Sequence, residues 1–301
     1  MIKKLHVNEI ENLNDNNQIN IAYLVLVHRL PKQFKRLFKA IYSPNNYYLI
    51  HIDKKADKDL HEEIKEFIND FQNTYILESE NIVWGGYSMV QVELNGIKKL
   101  LEISDKWDYF INLSGQDYPL KSQKEITNYL SKNLNNNFLK VADQLIERPE
   151  TMNRIDNYFV DNGTNMSEIK SKKREFLDNV TPYIGGQWMI LTRKCCEFII
   201  NDLETKKFEK FYINTLIADE SFFQTLLMNS SFTGKIINDD KRSIIWVADG
   251  DIKLRPKTFD NTDIDYLSIN DNLFARKFDD NIDSEIINKI KLNFNLPIND
   301  K

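Results

Sequence analysis

The run Ile21-Ala-Tyr-Leu-Val-Leu-Val27 carries no charged residue and does not alternate polar with apolar positions. A half-exposed strand would alternate, so this run reads as a strand covered on both faces, the setting of a parallel sheet with helices above and below it. Pro31 then suits a helix start, and Phe34, Leu37, Phe38 and Ile41 recur at i, i+3, i+4, i+7, with Lys32, Lys35, Arg36 and Lys39 on the polar side. A second strand over Tyr47–Asp53 precedes a second helical stripe of Leu60, Ile64, Phe67, Ile68 and Phe71. A short strand over Tyr75–Leu77, a helix over Tyr87–Ile103 and a buried strand over Asp108–Leu113 continue the alternation. Strand, helix, strand in this order predicts an α/β fold with a mostly parallel, Rossmann-like sheet and right-handed crossovers.

Ligands of such open sheets sit beyond the carboxyl ends of the strands. The residues expected there are His28 and Arg29, Asp53, and Ser114-Gly-Gln-Asp117. Beyond Lys121 the pattern is mixed. Asn133–Asn137 reads as a loop, and Ala142–Pro182 as a polar stretch without a clear period. Gly185-Gly-Gln-Trp-Met-Ile-Leu-Thr192 reads as a turn feeding a strand. With no internal repeat and no Pro/Gly/Ser linker, the expectation is a flexible lead-in over 1–20 and one domain over 21–301. Its nucleotide-binding part would cover about 21–120 and its acceptor and catalytic part about 121–301, with a central insertion.

With 40 Lys+Arg against 45 Asp+Glu, the formal net charge is -5. A nucleic-acid protein normally shows a basic excess, so none is expected as a partner. Cys195 and Cys196 are adjacent and cannot form a dispersed disulfide framework, and they lie in what reads as a half-buried helix, where packing is preferred over soft-metal or redox chemistry. No apolar run approaches the roughly 18 residues of a membrane span, and residues 1–20 contain no signal-peptide core. A cytoplasmic location follows as the expectation. Peripheral association with a membrane bearing a lipid-linked acceptor stays open.

The chain has neither G-x-G-x-x-G nor G-x-x-x-x-G-K-[ST], so phosphate must be held without those glycine cradles. His6, His28, His51 and His61 lack metal-ligand spacing, and His28 and His51 fit satisfied strand histidines. Two D-x-D triplets, Asp249-Gly-Asp251 and Asp263-Ile-Asp265, have the carboxylates a hard cation favours, but they fall late, where turns and helix caps explain them as well. In Ala218-Asp-Glu-Ser-Phe-Phe-Gln-Thr-Leu-Leu-Met228, Asp219 suits a helix cap, with Phe222, Phe223, Leu226 and Leu227 as the apolar face. Glu220 in its first turn is either a general base or a complement to the helix dipole. Lys241-Arg242, Arg255-Pro-Lys257 and Phe274-Ala-Arg-Lys-Phe278 bring cations that either face solvent or, aimed into one cleft, neutralise a diphosphate.

Seven segments together resemble one family. They are Ala22–His28, His51–Lys55, Trp84–Leu94, Leu113–Leu120, Gly186–Trp188, Asp219–Phe223 and Leu273–Phe278, in family order from about Ile21 to Phe278. The family is the core-2/I-branching β-1,6-N-acetylglucosaminyltransferases, which also contains the peptide O-xylosyltransferases. The resemblance implies a GT-A-like fold and an inverting transfer that uses a UDP-sugar donor, a glycan acceptor and no metal or other cofactor. Carried over residue by residue, it implies that Glu220 is the catalytic base and Asp53 a uridine contact. Trp84, Ser88 and His28 would line the nucleotide pocket, and Arg242 and Lys277 would take the metal's place on the diphosphate. Asp117, Gln187 and Trp188 would border the sugar sites. GlcNAc is the favoured donor sugar, with xylosyl or other hexosyl transfer as the alternative within enzymes and a non-catalytic glycan- or nucleotide-binding module as the alternative outside them. Without the cysteines and anchor of animal members, the chain fits a bacterial enzyme of surface polysaccharide or glycan synthesis.

Overall fold

The computed structural model describes residues 19–250, 253–294 and 296. Its first strand, β1 (Ile21–Val27), is buried at every position, and its side chains part by parity into two separate cores. Ile21, Tyr23, Val25 and Val27 enter one core, whereas Ala22, Leu24 and Leu26 enter the other. Successive strand residues point to opposite faces, so a run that must satisfy two cores contains no polar residue.

The first core is closed by α1 (Pro31–Ile41) through Phe34, Leu37, Phe38 and Ile41. After β2 (Tyr47–Ile52), helix α2 (Lys58–Ile68) adds Leu60, Ile64 and Ile68, and Asp57 caps it by accepting from the Leu60 N–H. Phe67 and Phe71 of the expected stripe are only partly buried, and Phe71 lies beyond the helix end. After β3 (Thr74–Leu77), helix α3 (Ser88–Ile103) crosses to the second core through Val90, Leu94, Ile97 and Leu100. Each fully buried aliphatic or aromatic side chain of these stripes contributes about 1.5–3 kcal/mol.

The chain then enters β4 (Tyr109–Ser114), β5 (Asp117–Pro119), α4 (Gln123–Ser131), β6 (Asn136–Asp143) and a hairpin of β7 (Asn157–Asp161) and β8 (Met166–Lys173). Next come β9 (Tyr183–Thr192), α5 (Arg193–Asn201), α6 (Leu203–Tyr212), α7 (Phe222–Asn229) and β10 (Lys235–Asn238). β11 (Arg242–Ser243), β12 (Trp246–Asp249), β13 (Lys253–Pro256) and β14 (Phe274–Arg276) follow. The main sheet has the order β10-β6-β9-β4-β1-β2-β3. β9 is antiparallel to β6 and β4, and the remaining pairs are parallel. Strand order reverses between β1 and β4, which makes that junction the crevice where such sheets place ligands. A second sheet, β11-β14-β5, joins chain segments far apart in sequence.

Three local expectations are corrected. The Asn-rich loop ends at Asn135, where φ is 66°, and β6 begins at Asn136. Asn137 is buried because its side chain bonds Thr192 of β9 and the Lys235 carbonyl of β10. Gly185 and Gly186 lie inside β9 and not in a turn before it, since a Cβ at Gly185 would overlap the carbonyl oxygen of Lys140 on β6. The stretch Ala142–Pro182 contains two single helical turns (Gln144–Glu147 and Asn153–Asp156) and the β7–β8 hairpin. Cys195 and Cys196 are buried free thiols on α5, with burial pushing both thiol pKa values up. Among the described residues, no helix is long and apolar enough to cross a membrane.

Candidate active site

The carboxyl ends of β1 and β2 meet through the Asp53 N–H, which bonds the Val27 carbonyl at 2.8 Å. Asp53 is buried, and its Oδ1 accepts from the Lys55 N–H. His28 stands exposed at the end of β1. Its pKa is lowered first by desolvation, then by Arg29, while Asp53 opposes the shift and Arg276 and Lys277 reinforce it. Lys277 feels the same crowd, lowered first by desolvation, then by Arg276, Arg29 and Arg255, with Asp249 opposing. The structure therefore gathers His28, Arg29, Asp53, Arg276 and Lys277 at one end of the sheet. A cluster that holds cations against their mutual repulsion suits a polyanion.

Beneath Lys277 lies a buried layer built by the small sheet. In the register of β14 against β5, Arg276 stands opposite Asp117, and Arg276 Nη1 donates to Asp117 Oδ1 at 2.8 Å. Asp117 Oδ2 accepts from the Ser114 N–H at 2.9 Å. The Arg276 guanidinium lies 4.1 Å from the centroid of the Trp188 ring. Arg242 on β11 stands opposite Phe274, its guanidinium 4.6 Å from that ring. Arg242 is only 5% exposed, which overturns the solvent-facing alternative for it. Its Nη1 and Nη2 donate to the carbonyls of Asp240 and Asn112, and its Nε has no partner. Of the two cations expected on a diphosphate, Arg242 is thus a buried strut and Lys277 the half-buried one.

Glu220 lies on the other side of the crevice. Ile217, left-handed at φ 52° although β-branched, gives its N–H to the Gly85 carbonyl at 2.6 Å and turns the chain into a 3-10 turn, Ala218–Glu220. That contact joins Glu220's segment to the Trp84–Ser88 loop. There Gly85 has φ 73°, the Trp84 indole is 69% exposed, and Ser88 Oγ accepts from the Val83 N–H. Ser221, not Asp219, precedes α7, and Asp219 makes no cap bond. The helix-cap expectation fails because Asp219 belongs to the tighter turn before the helix. Glu220 Oε2 receives Arg154 Nη1 at 2.7 Å.

Behind Glu220 stand two more carboxyls. Glu93 of α3 is fully buried. Its Oε1 accepts from Asn112 Nδ2 at 2.8 Å and from Gln187 Nε2 at 3.2 Å, and its Oε2 has no partner. Burial first, then Asp219, push its pKa well above the carboxylate range. Asp219 is pushed up to about 7 by burial first and by Glu220 next, with Arg154 opposing. Asn112 connects both sides of the crevice. Its side chain bonds Glu93 and the Gln187 carbonyl, while its own carbonyl receives Arg242. On β9, Gln187 accordingly faces the carboxyls, and its neighbour Trp188 faces the arginines.

Glu93, Asn112 and Arg154 were not singled out from the sequence, and Arg276 entered only among the cations of Phe274–Phe278 without a role of its own. Glu93 was readable, since it occupies a core position of the stripe Val90, Glu93, Leu94, Ile97 where a charge is out of place. Asn112 likewise interrupts an apolar strand. His51 is a buried strand histidine satisfied on one nitrogen only, with Nε2 accepting from the Glu80 N–H, Nδ1 buried without a partner, and burial lowering its pKa to about 4. Asp263 of the second D-x-D belongs to a capping box with Asp260 and pairs with Lys257 at 2.5 Å, as the turn reading holds. Asp249 of the first lies 3.8 Å from Arg255, and Asp251 lies outside the described residues. Among the described residues, no three His, Cys, Asp or Glu side chains converge as a metal-holding group.

A xylosyltransferase of Ciona intestinalis is 31% identical over 295 residues, covering 92% of this chain and 34% of that protein. Xylosyltransferase 2 of Homo sapiens is 30% identical over 291 residues, covering 91% and 33%. The chain thus spans about a third of the length of the curated relatives it matches. Among solved structures, the mannosyltransferase Ktr4p of S. cerevisiae aligns with 76% of this chain and 69% of its own, at 12% identity and a TM-score of 0.33. The model of the Core-2/I-Branching enzyme family matches residues 21–272, a span that holds β1, Asp53, the Glu220 turn and Arg242 and ends before Arg276 and Lys277, and the chain belongs to that family.

Proposed function

We propose that this chain is an inverting, metal-independent glycosyltransferase that moves a sugar from a UDP-sugar to a hydroxyl of a glycan acceptor, forming a β-linkage. The observation that carries this reading is the division of the crevice into a cationic side and a carboxylate side held in fixed relation by Asn112. On the cationic side, Asp53, Trp84, Ser88 and His28 would receive the uridine part. Lys277, with Arg276 and Arg242 beneath it, would stabilise the diphosphate as its bond to the sugar breaks. Preplaced donors at developing charge are worth about 2.7–4 kcal/mol each in a transition state. On the carboxylate side, Glu220 would take the proton of the acceptor hydroxyl as its oxygen attacks the anomeric carbon from the face opposite the leaving UDP. Arg154, bonded to Glu220 Oε2, would hold that carboxylate in position for the step. Asp117, Gln187 and Trp188 would form the floor on which the sugars lie.

UDP-GlcNAc is the first donor to test, and the names of the curated relatives favour UDP-xylose as the second. The buried, unpaired thiols support a reducing compartment, in keeping with a cytoplasmic enzyme of surface glycan synthesis. The deciding experiment is a panel of UDP-sugars with the wild type and E220Q, reading UDP binding by calorimetry, turnover by UDP release and product anomer by NMR. E220Q should bind UDP normally and lose about 10²-fold or more of turnover, and near-normal turnover would remove Glu220 from the mechanism. EDTA should leave the wild-type rate intact, and loss of activity restored by a divalent ion would return a D-x-D triplet to consideration.

A further inference from the structure

We propose that Gln33, a fully buried amide on α1, is a positioning residue for Lys277: it fixes the loop that carries this cation and so sets the affinity of the site for a diphosphate. The choice of ligand rests on the transferase reading, whereas the bonds do not. α1 is otherwise apolar where it meets the sheet, with Phe34, Leu37, Phe38 and Ile41 in the first core. A glutamine buried beside them is costly unless its amide is satisfied. Gln33 is satisfied at both ends. Its Nε2 donates to the carbonyls of Gly115 at 3.1 Å and Phe278 at 3.0 Å, and its Oε1 accepts from the Asp280 N–H at 2.9 Å. One side chain thus joins α1 to the turn between β4 and β5 and to the chain just beyond Lys277, partners that lie 82, 245 and 247 residues away.

The chain needs such a tie at that point. β14 ends at Arg276, and the run from Lys277 to Asp280 belongs to no strand or helix. Gln116 supplies a second tie, with its Nε2 donating to the Phe278 carbonyl at 3.1 Å and its own carbonyl accepting from the Phe278 N–H at 2.8 Å. Arg29 pairs with Asp279 on the same run. Lys277 itself is bracketed by backbone, its N–H bonding the Lys257 carbonyl at 3.3 Å and its carbonyl accepting from the Phe259 N–H at 2.9 Å. The Phe278 carbonyl therefore takes one amide donor from each glutamine, in place of the ladder bonds that β14 no longer provides. A cation stabilises a phosphate best when its place is fixed before the ligand arrives, because the loop then need not be ordered on binding. Glutamine offers two donors and an acceptor at this reach, whereas methionine keeps the shape and loses all three bonds.

The experiment compares UDP with uridine, which lacks the diphosphate, by NMR titration of the intact protein. The wild type should bind UDP about 10²-fold more tightly than uridine, and K277A should lose most of that factor. Q33M should lose about tenfold of the UDP affinity while its uridine affinity stays within about twofold of wild type. The double variant Q33M/K277A should bind UDP within about twofold of K277A alone, because Gln33 acts through Lys277. A glutamine that merely supports the fold would lower UDP and uridine affinity by one common factor, or lower neither, and its effect would add to that of K277A. Each of those results overturns the proposal. Should Q33M fail to fold, Q116M leaves Gln33 in place and takes one donor from the Phe278 carbonyl. It should lower UDP affinity severalfold and leave uridine unchanged, and an unchanged ratio of the two overturns the proposal.

The two readings fail in different ways. A wild type that binds UDP no more tightly than uridine overturns the diphosphate role of Lys277, and with it the ligand on which the proposal rests. A preference for UDP that is lost in K277A but survives Q33M overturns the positioning role of Gln33 and leaves the transferase reading standing.

Discussion

Asp219 has charged neighbours of both signs in its immediate surroundings, and each can be removed on its own. Glu220 raises its pKa and Arg154 lowers it. Removing the carboxylate in E220Q should move the Asp219 titration below its value of about 7, and removing the cation in Arg154→Leu should move it above. Each displacement should be about one pH unit, read by NMR of the carboxyl carbon. Equal shifts in the same direction would mean that packing, not charge, governs the residue. Single positions differ in how far their roles could be read from the chain alone. Glu220 drew notice as a carboxylate just before an apolar helix face, where a general base and a complement to the helix dipole read alike, and the family resemblance singled out the base. Arg154 did not, because it lies in a polar stretch where one more cation draws no notice, and its partner is 66 residues away.

Elements were legible where burial imposes a period. α1, α2 and α3 carry apolar stripes because each closes a core, and the chain announces them. The β7–β8 hairpin carries none, since Phe159 is its one buried residue and β8 is exposed along most of its length. Its strands are held by backbone pairing and by Phe159 bonding Asn214, interactions that side-chain identity does not encode. β9 was misread at its start for the opposite reason. Its two glycines look like a turn, yet Gly185 is required by the close approach of β6 near the register shift between Leu139 and Val141. Gly185→Ala should therefore destabilise the protein by about 1–3 kcal/mol, measured by urea unfolding, whereas Gly163→Ala, with open space around it but φ 88°, should report only the cost of a left-handed backbone.

At the scale of the molecule, residues from His28 to Lys277 meet because the strand order reverses between β1 and β4 and the small β11-β14-β5 sheet returns the late segments to that point. The early strands and helices were readable from alternation, and the residues at the carboxyl ends of the strands followed from them, but the strand order was not readable. The small sheet was not, since β11 has two residues and β5 and β14 three each, too short to show a period. The burial of alternate β1 residues in two different cores has a thermodynamic consequence. A strand that is the common wall of both cores cannot lose one side while keeping the other, so the two halves should melt as one cooperative unit. Leu24→Ala and Val25→Ala open cavities on opposite faces. Each should lower the stability by about 2–5 kcal/mol and shift the unfolding of α1 and α3 together, followed by hydrogen exchange at both helices. β1 thereby acts as a mechanical coupling in folding, transmitting a loss of order on either face of the sheet to the other.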